Sequence, residues 1–585
     1  MPAGSTYARA QKRQYRKVRN AYPLSQFTGW NDDSNQTAIL DTDLRIAQNI
    51  IPYRADLIGG RFGFHRDPFG AALNSGAAIT GIFDFKSNKD ASHRPIFISG
   101  AKIFAENAAA DPSTATDITD VCAVVNSANA LFSGVVFRDQ LIVTQRGGTA
   151  ATHVPIAIPA TGNAAPLAGW FTNNRTCEYV HSQFNYLFFA GFNRSGTPTS
   201  AQNPMNVAYS ELNDETGGWA DSRFVEKIGG LSSYGDEYVT GLFRHRDFLM
   251  VGTNKRIYPV TYTGEVYGLF AIQRPLDVGL ASQHSVISIN GEYTFFMDPT
   301  GNVHAIHDVA RGFGSIGIQS VSRKIKNHVS SFSRSMLKYV TSAYMSERGW
   351  CVWSVPYGVG ATSKNELLVL DVNNFPLDEP DHRIARWHRW TGVAANVLAT
   401  MTRDSNSVAA ASEPSATGEQ FLYFGTTTGW AKRFTDSISY DETDAGVQTD
   451  IQTTIATKYF DFAQPDDQKS IVEVRWNMEP AQAIIGPSAR VDYDFGARNS
   501  NTRNIDMDSN LASGDVLDST FILDSSRLGS EASITTSKDY FKSAGAVASV
   551  RIDKALSGTQ KWKLQQMVML VEQRGEGVES IGASA

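Results

Sequence analysis

Three short stretches of this 585-residue sequence gather side chains that could do chemistry. The run Val303 to Asp308 (VHAIHD) holds His304 and His307, whose imidazoles could suggest a metal pair. In a strand, positions three apart point to opposite faces, and a metal needs further ligands and a supporting shell, so structural histidines are expected. Asp441, Glu442, Asp444 and Asp450 could collect Ca²⁺, yet they lack the alternating oxygen-ligand loop with a Gly at its turn and a closing bidentate Glu. A solvated linker over Asp436 to Asp450 is the expectation there. The quartet Trp387, His388, Arg389 and Trp390 could stack a sugar or a base, as aromatic and arginine platforms do. Strand alternation puts Trp387 and Arg389 on one face and His388 and Trp390 on the other, which suits packing between sheets. No Gly-x-Ser-x-Gly elbow, Walker loop, His-Glu-x-x-His or paired Cys-x-x-Cys is present. The sequence therefore implies no catalytic residue, no cofactor and no metal site.

The elements that would hold these residues are strands. Beyond residue 40, apolar and polar positions alternate over short stretches bounded by Gly, Asn and Asp, and helical periodicity is hard to find. Strand pairs are expected at Ile96 to Phe104, Val135 to Thr144, Phe184 to Phe189 with Asn206 to Ser210, Gly241 to Val260, Val286 to Ile306, Ala343 to Val355 with Leu367 to Asp371, and Phe421 to Phe434. Polar turns such as Arg138-Asp139 and Arg246-Asp247 separate apolar strands, and the unit recurs about every 50 residues, the mark of propeller blades that bury their faces against neighbours. The fold class expected is all-β: an irregular β-propeller of about six or seven blades over residues 45–440, and a β-sandwich or platform domain over 441–585. A chain of β-sandwiches would share these strands but need boundary linkers, and no Pro/Ser-rich linker separates the units. A second polar stretch, Ala497 to Asp518, is rich in Asn, Asp and Ser.

Composition sets the outer limits. At 42% hydrophobic and 19% charged the chain is globular, and its net charge of -6 is too small for a polyanion-binding protein overall. Cys122, Cys177 and Cys351 lie far apart and read as buried thiols in a reducing cytoplasm. The N-terminus lacks an apolar h-region and no run of about 18 apolar residues occurs, so neither secretion nor a membrane segment is expected.

Residues 1–44 form a basic arm and an anchoring loop. Arg9, Lys12, Arg13, Arg16, Lys17 and Arg19 fall in one run without an acidic residue, and a helix there would be cationic around most of its circumference. Such an arm is either a solvated terminus or a docking segment for an acidic partner or nucleic acid. Tyr22, Pro23, Phe27, Gly29 and Trp30 follow as the loop, so Tyr22 and Trp30 join the six basic residues as candidate partner-docking positions. A protein partner is favoured over DNA, because phosphate contacts give salt-sensitive affinity without specificity.

Arg45 to Phe64, RIAQNIIPYRADLIGGRFGF, resembles the opening of tailed-bacteriophage tail nozzle (tail tubular, head-to-tail connector) proteins, in which an Asn-containing strand turns into an Arg-x-Gly-aromatic element, here Arg61, Gly63 and Phe64. Val135 to Thr144, Gly235 to Val260, Gly279 to Val286 (GLASQHSV), Tyr293 to Ile306, Ser322 to Ile325 and Asn365 to Asp371 before Trp387 and Trp390 are similar to later segments of that family, in the same order. The more usual Arg-Pro-Gly is Arg61-Phe62-Gly63 here, and the basic arm matches no family pattern. The resemblance implies a structural virion protein, assembled in the host bacterial cytoplasm and placed in the virion tail. It implies a homo-oligomeric, hexameric ring below the portal and adaptor proteins that retains the genome, passes double-stranded DNA on ejection, and carries tail fibres, a spike or a needle.

Two rival functions belong to other classes: a glycan-binding, receptor-recognising propeller, and a polysaccharide-degrading tail enzyme. Repeated Ser-x-Asp-x-Gly-x-Thr-Trp boxes, which a sialidase-like propeller would carry, are absent, and the aromatic residues fall mostly within strands, where they fill cores. Chelation is expected to leave the thermal midpoint unchanged, since stripping a ligand that binds only the native state would lower it; a fall of several degrees in a melting scan would reveal a metal site.

Overall fold

The computed structural model describes residues 19–574 apart from internal stretches, the longest of which are 403–418 and 505–534. Strands dominate, interrupted by short 3₁₀ turns and the single α-helical turn Lys326–Ser330 among the described residues. Small antiparallel meanders follow one another along the chain at 79–117, 132–166, 179–209, 239–272, 287–320, 341–391 and 397–434. Tight turns set their registers. Phe132–Phe137 folds back on Gln140–Gln145 through Arg138, and Val239–His245 on Phe248–Thr253 through Arg246, each arginine in the left-handed region at φ 54° and 50°.

Nearly every meander is apolar on both faces, which forces each to pack against its neighbours. Phe132, Leu141 and Val143 share a core with Ile96, Ile98 and Ile103 of the preceding sheet, while Phe137 and Ile142 on the opposite face meet Leu187 and Phe189 of the next. The same sharing continues along the series, and Ile79, Ile82 and Phe97 of the earliest sheet pack with Val397, Met401 and Tyr423 of the latest. First and last meanders are thus neighbours, and the arrangement is propeller-like. The last is completed from far upstream in sequence: Phe64–Arg66 pairs antiparallel with Ala431–Phe434, Phe64 opposite Phe434.

Further upstream strands join the C-terminal ones. Arg19–Leu24 and Leu57–Gly60 both pair with Lys563–Arg574, whose other edge carries Gln468–Glu479. Leu44–Gln48 pairs with Gln448–Thr457, which continues through Ala548–Leu556 to Ser488–Tyr493. These two groups of strands enclose one core, in which Trp476, Met567 and Val571 meet Ile455, Val491 and Ile552. The sequence reading sets its boundaries at 44/45 and 440/441; strand pairing crosses both, because β pairing is non-local and alternation in sequence does not name a strand's partner.

One residue turns the chain from one group of strands to the other. Asn49 separates Leu44–Gln48 from Ile50–Arg54 at φ 54°, a conformation Asn tolerates, and its side chain bonds Thr391 Oγ1 at 3.0 Å and Gln452 O at 2.8 Å. Its Oδ1 accepts Arg61 Nε at 3.1 Å. The Arg61 guanidinium, 1% exposed, also donates from Nη1 and Nη2 to Asp441 at 2.8 and 2.5 Å, from Nη1 to Phe62 O at 3.1 Å and from Nη2 to Thr391 O at 3.3 Å. Its donor set is fully used. Phe62 stacks on Trp350 at 5.7 Å, and Gly63 lies so close to the backbone that an added Cβ would stand 1.8 Å from Tyr440 O.

This geometry corrects the expectation of a solvated linker at Asp436 to Asp450. Tyr440–Glu442 is a strand paired with Gln448–Thr457; Asp441 meets Arg61, Glu442 meets Arg66 at 2.5 Å, and Asp444 meets Lys432 at 2.7 Å. The acidic run complements basic groups distant in sequence. Within the second polar stretch, Arg498–Asn499 and Arg503–Asn504 pair with Ser488–Tyr493, and residues 505–518 lie outside the described set. Asp441→Ala is expected to cost about 3–5 kcal/mol in urea unfolding by leaving a buried guanidinium uncompensated. Joint replacement Arg61→Met with Asp441→Leu should cost clearly less than Asp441→Ala alone, whereas Gly63→Ala should be among the most damaging single changes.

Candidate functional site

The docking positions inferred from sequence separate into three groups. Arg9, Lys12, Arg13, Arg16 and Lys17 lie outside the described residues. Arg19 opens the strand Arg19–Leu24 with its side chain 60% exposed and Nε 4.0 Å from Glu572. Tyr22, in the same strand, is half-buried against Phe462, ring centroids 4.6 Å apart. Trp30 is different: it is 6% exposed, stands edge-on to His328 at 4.7 Å, and donates its backbone N–H to Trp387 O. Its place in the core removes it from the docking set. The reason lies in Gly29, at φ 89°, where an added Cβ would meet Trp387 N at 2.8 Å, so the loop lies directly on that strand. A buried ion pair, Lys324 to Asp43 at 2.8 Å, holds the loop down, with Asn31 Nδ2 donating to Asp43 at 2.7 Å. The loop anchors, but to its own fold.

Beside Tyr22 a groove of about 440 Å³ runs between Arg19–Leu24 and the segment after Gln448–Thr457, lined by Tyr22, Gln26, Asp41, Lys458, Phe460 and Phe462. One edge of Arg19–Leu24 is paired with Lys563–Arg574, and the other carries no strand among the described residues. An open strand edge is a template for pairing with another chain, and this one continues directly from the basic arm.

A second polar cluster joins several meanders. Arg146 donates to Lys338 O at 2.6 Å, lies 5.0 Å over the Tyr339 ring and stands 3.6 Å from Glu178. Lys364 donates to Tyr339 O at 2.9 Å and to Asn396 O, and burial pushes its ammonium down to about 7. His284, half-buried nearby, is held neutral: desolvation first, then Arg146 and Lys364, push it down to about 3. Carbonyls and a carboxylate surround these cations, so the cluster stitches sheets together. It escaped sequence reading because its members are scattered from residue 146 to residue 396 without a motif.

His304 Nε2 lies 2.9 Å from Asp298, whose carboxylate also takes the backbone N–H groups of Thr300 and Asn302, locking a turn. Among the described residues no group of three His, Cys, Asp or Glu side chains could hold a metal. Trp387 and Trp390 face different cores, donating to Val321 O and Ile50 O at 3.1 Å each, and His388 is buried beside them. Cys122, Cys177 and Cys351 are buried free thiols, and burial raises all three. No helix among the described residues is long and apolar enough to cross a membrane.

No family model matches the chain, and no curated protein does. Similar solved structures include the N-terminal domain of Nup159 (10% identity, 66% of this chain and 98% of that one, TM-score 0.37). The WD40 domain of Neurospora crassa Pan2 (9% identity, 64% and 95%, TM-score 0.32) is another. So is the extracellular domain of a hybrid two-component system from B. thetaiotaomicron (10% identity, 77% and 49%, TM-score 0.37). At these scores the likenesses carry no argument of their own, and the fold is read from strand pairing and shared cores.

Three histidines, His388 buried and His181 and His284 half-buried, give the fold an acid-sensitive element. Burial, aided by neighbouring arginines, pushes His181 down to about 4 and His284 and His388 to about 3. The unfolded chain takes up these protons near pH 6.5 and the folded chain does not, so stability is full above pH 6.5 and falls as the pH drops toward 4. Each group should contribute about 1.4 kcal/mol per pH unit in that window. Urea midpoints measured across it should fall with a slope that His388→Leu reduces by one proton.

Proposed function

We propose that this chain is a non-catalytic structural protein of a tailed-phage virion, forming a tail nozzle ring of the kind its sequence resembles. The observation that carries this reading is the role of Arg61 to Phe64, the element on which the resemblance opens: it forms the joint between the closing strand Phe64–Arg66 and the strands that pair with the C-terminus. An element used for assembly of the fold, and not for chemistry, suits a scaffold.

In this reading the small sheets are a propeller of seven blades, counted as the five separate sheets between 79 and 320 plus the meanders 341–391 and 397–434. Phe64–Arg66 supplies the outer strand that closes the seventh. Residues 19–60 belong with 440–574 in a β-sandwich, not with the propeller. Several copies surround the axis through repeated heterologous contacts, with an adaptor ring above and fibres, a spike or a needle below. The basic arm ahead of Arg19 reaches an acidic partner protein, and Arg19 and Tyr22 lie where it leaves the fold. The genome passes through a neutral or acidic lumen, since an inner wall that bound phosphate tightly would retard it.

Negative-stain images of the purified protein and of the virion test the reading together with a truncation. Removing residues 1–18 spares every described strand, so the protein should fold and keep its melting midpoint but fail to complete DNA-filled heads. Infectious particles made with the truncated protein, or a map showing single copies at the tail periphery, would overturn the nozzle assignment.

A further inference from the structure

A cleft of about 390 Å³ opens beside the anchoring loop, where that loop, the strand Leu44–Gln48, the turn Lys326–Ser330 and the strand Arg386–Thr391 meet. Its size falls in the range of small-molecule sites. Most of its polar lining is already engaged. Arg389 Nε donates to Glu366 at 2.6 Å, and its guanidinium lies 4.6 Å over the Tyr357 ring. Tyr357 stacks on His328 at 4.4 Å, so its faces are occupied and a flat ring has no platform here. His328 Nε2 stands 3.0 Å from the same Glu366.

Two further lining groups, like His328 Nε2, carry buried polar atoms without a hydrogen-bond partner. Arg45 lies 4.7 Å over the Tyr459 ring, with Nε and Nη2 both buried without a hydrogen-bond acceptor; its nearest carboxylate, Asp492, is 3.6 Å away and already holds Arg490 at 2.9 Å. Two more arginines, Arg490 and Arg551, sit directly opposite each other on paired strands and act on Arg45 as like charges. Asp32 spends Oδ2 on the backbone N–H of His328, while Oδ1 is buried with no donor. A buried donor and a buried acceptor without partners are each costly, and burial raises Asp32 and lowers Arg45 accordingly. Both line one cleft.

We propose that this cleft binds a small carboxylate bearing a hydroxyl or amino donor, its carboxylate on Arg45 and its donor on Asp32 Oδ1. One molecule with both groups satisfies both orphans at once; a simple carboxylate satisfies only one, and a neutral sugar offers Arg45 hydroxyl oxygens but no charge. The proposal does not depend on the tail reading.

Calorimetric titration of the full chain with glucuronate, glycine, glucose and acetate tests it. Glucuronate or glycine should bind and raise the melting midpoint, and glucose should not bind. Acetate should bind at least roughly tenfold more weakly than the better of the two, the loss of one charge-assisted hydrogen bond. Arg45→Gln should abolish binding of both. Asp32→Asn separates the two sources: it should remove glycine binding, which needs a full negative charge opposite the ammonium, and only weaken glucuronate. Should Arg45→Gln fail to fold, Ser331→Trp, which fills the cleft from its rim, should abolish binding instead. Failure of both glucuronate and glycine to bind, or binding undiminished by Arg45→Gln or Ser331→Trp, would overturn the proposal.

Discussion

The pairing of Arg61 with Asp441 is the constraint on which the other arrangements rest. A guanidinium taken out of water is costly unless its donors are used, and here they are divided among Asp441, Asn49, Phe62 and Thr391. Those partners come from the N-terminal segment, from the strand Arg386–Thr391 and from the hairpin that begins the C-terminal strands. The fixed fork of arginine therefore sets three separate pieces of chain at once. Around it the apolar packing is equally exacting. Phe62 fills the space beside Trp350 and Trp390, and Gly63 leaves the backbone of Tyr440 room to approach.

From that joint, order spreads in two directions. Downstream, Phe64–Arg66 pairs with Ala431–Phe434 in the last small sheet, whose other strands share a core with the first sheet. Upstream, Asn49 turns the chain by a right-handed exclusion that most residues obey and Asn relaxes, letting Leu44–Gln48 and Ile50–Arg54 serve different groups of strands. The anchoring loop then finds its place against Trp387 and Lys324. A satisfied buried polar node such as that of Arg61 confers register where apolar contact alone is permissive.

How much of this could be read from the sequence follows from the range of each signal. Alternation and turn residues are local, so the hairpins at Val135 to Thr144 and Gly241 to Val260 appear where expected, with Arg138 and Arg246 at their turns. Arg61, Gly63 and Phe64 are likewise adjacent in sequence and legible as one element. What the sequence concealed is pairing across hundreds of residues. Asp441, Glu442 and Asp444 read as solvated because their basic partners Arg61, Arg66 and Lys432 are not their neighbours in an alternation pattern. Trp30 read as a free anchor because nothing local announces Gly29 pressed on Trp387. The cleft at Asp32 and Arg45 was invisible for the same reason: four distant segments build it.

The pairing of Arg19–Leu24 with Lys563–Arg574 has a consequence for how the molecule comes into being. A ribosome delivers the first of these strands long before the second, and the closing strand Phe64–Arg66 likewise precedes its partner Ala431–Phe434 by most of a chain length. Throughout synthesis the early segment must therefore stay extended and uncommitted, with its apolar side chains exposed, while the intervening meanders are made. Both pairings therefore wait until the late strands have been made.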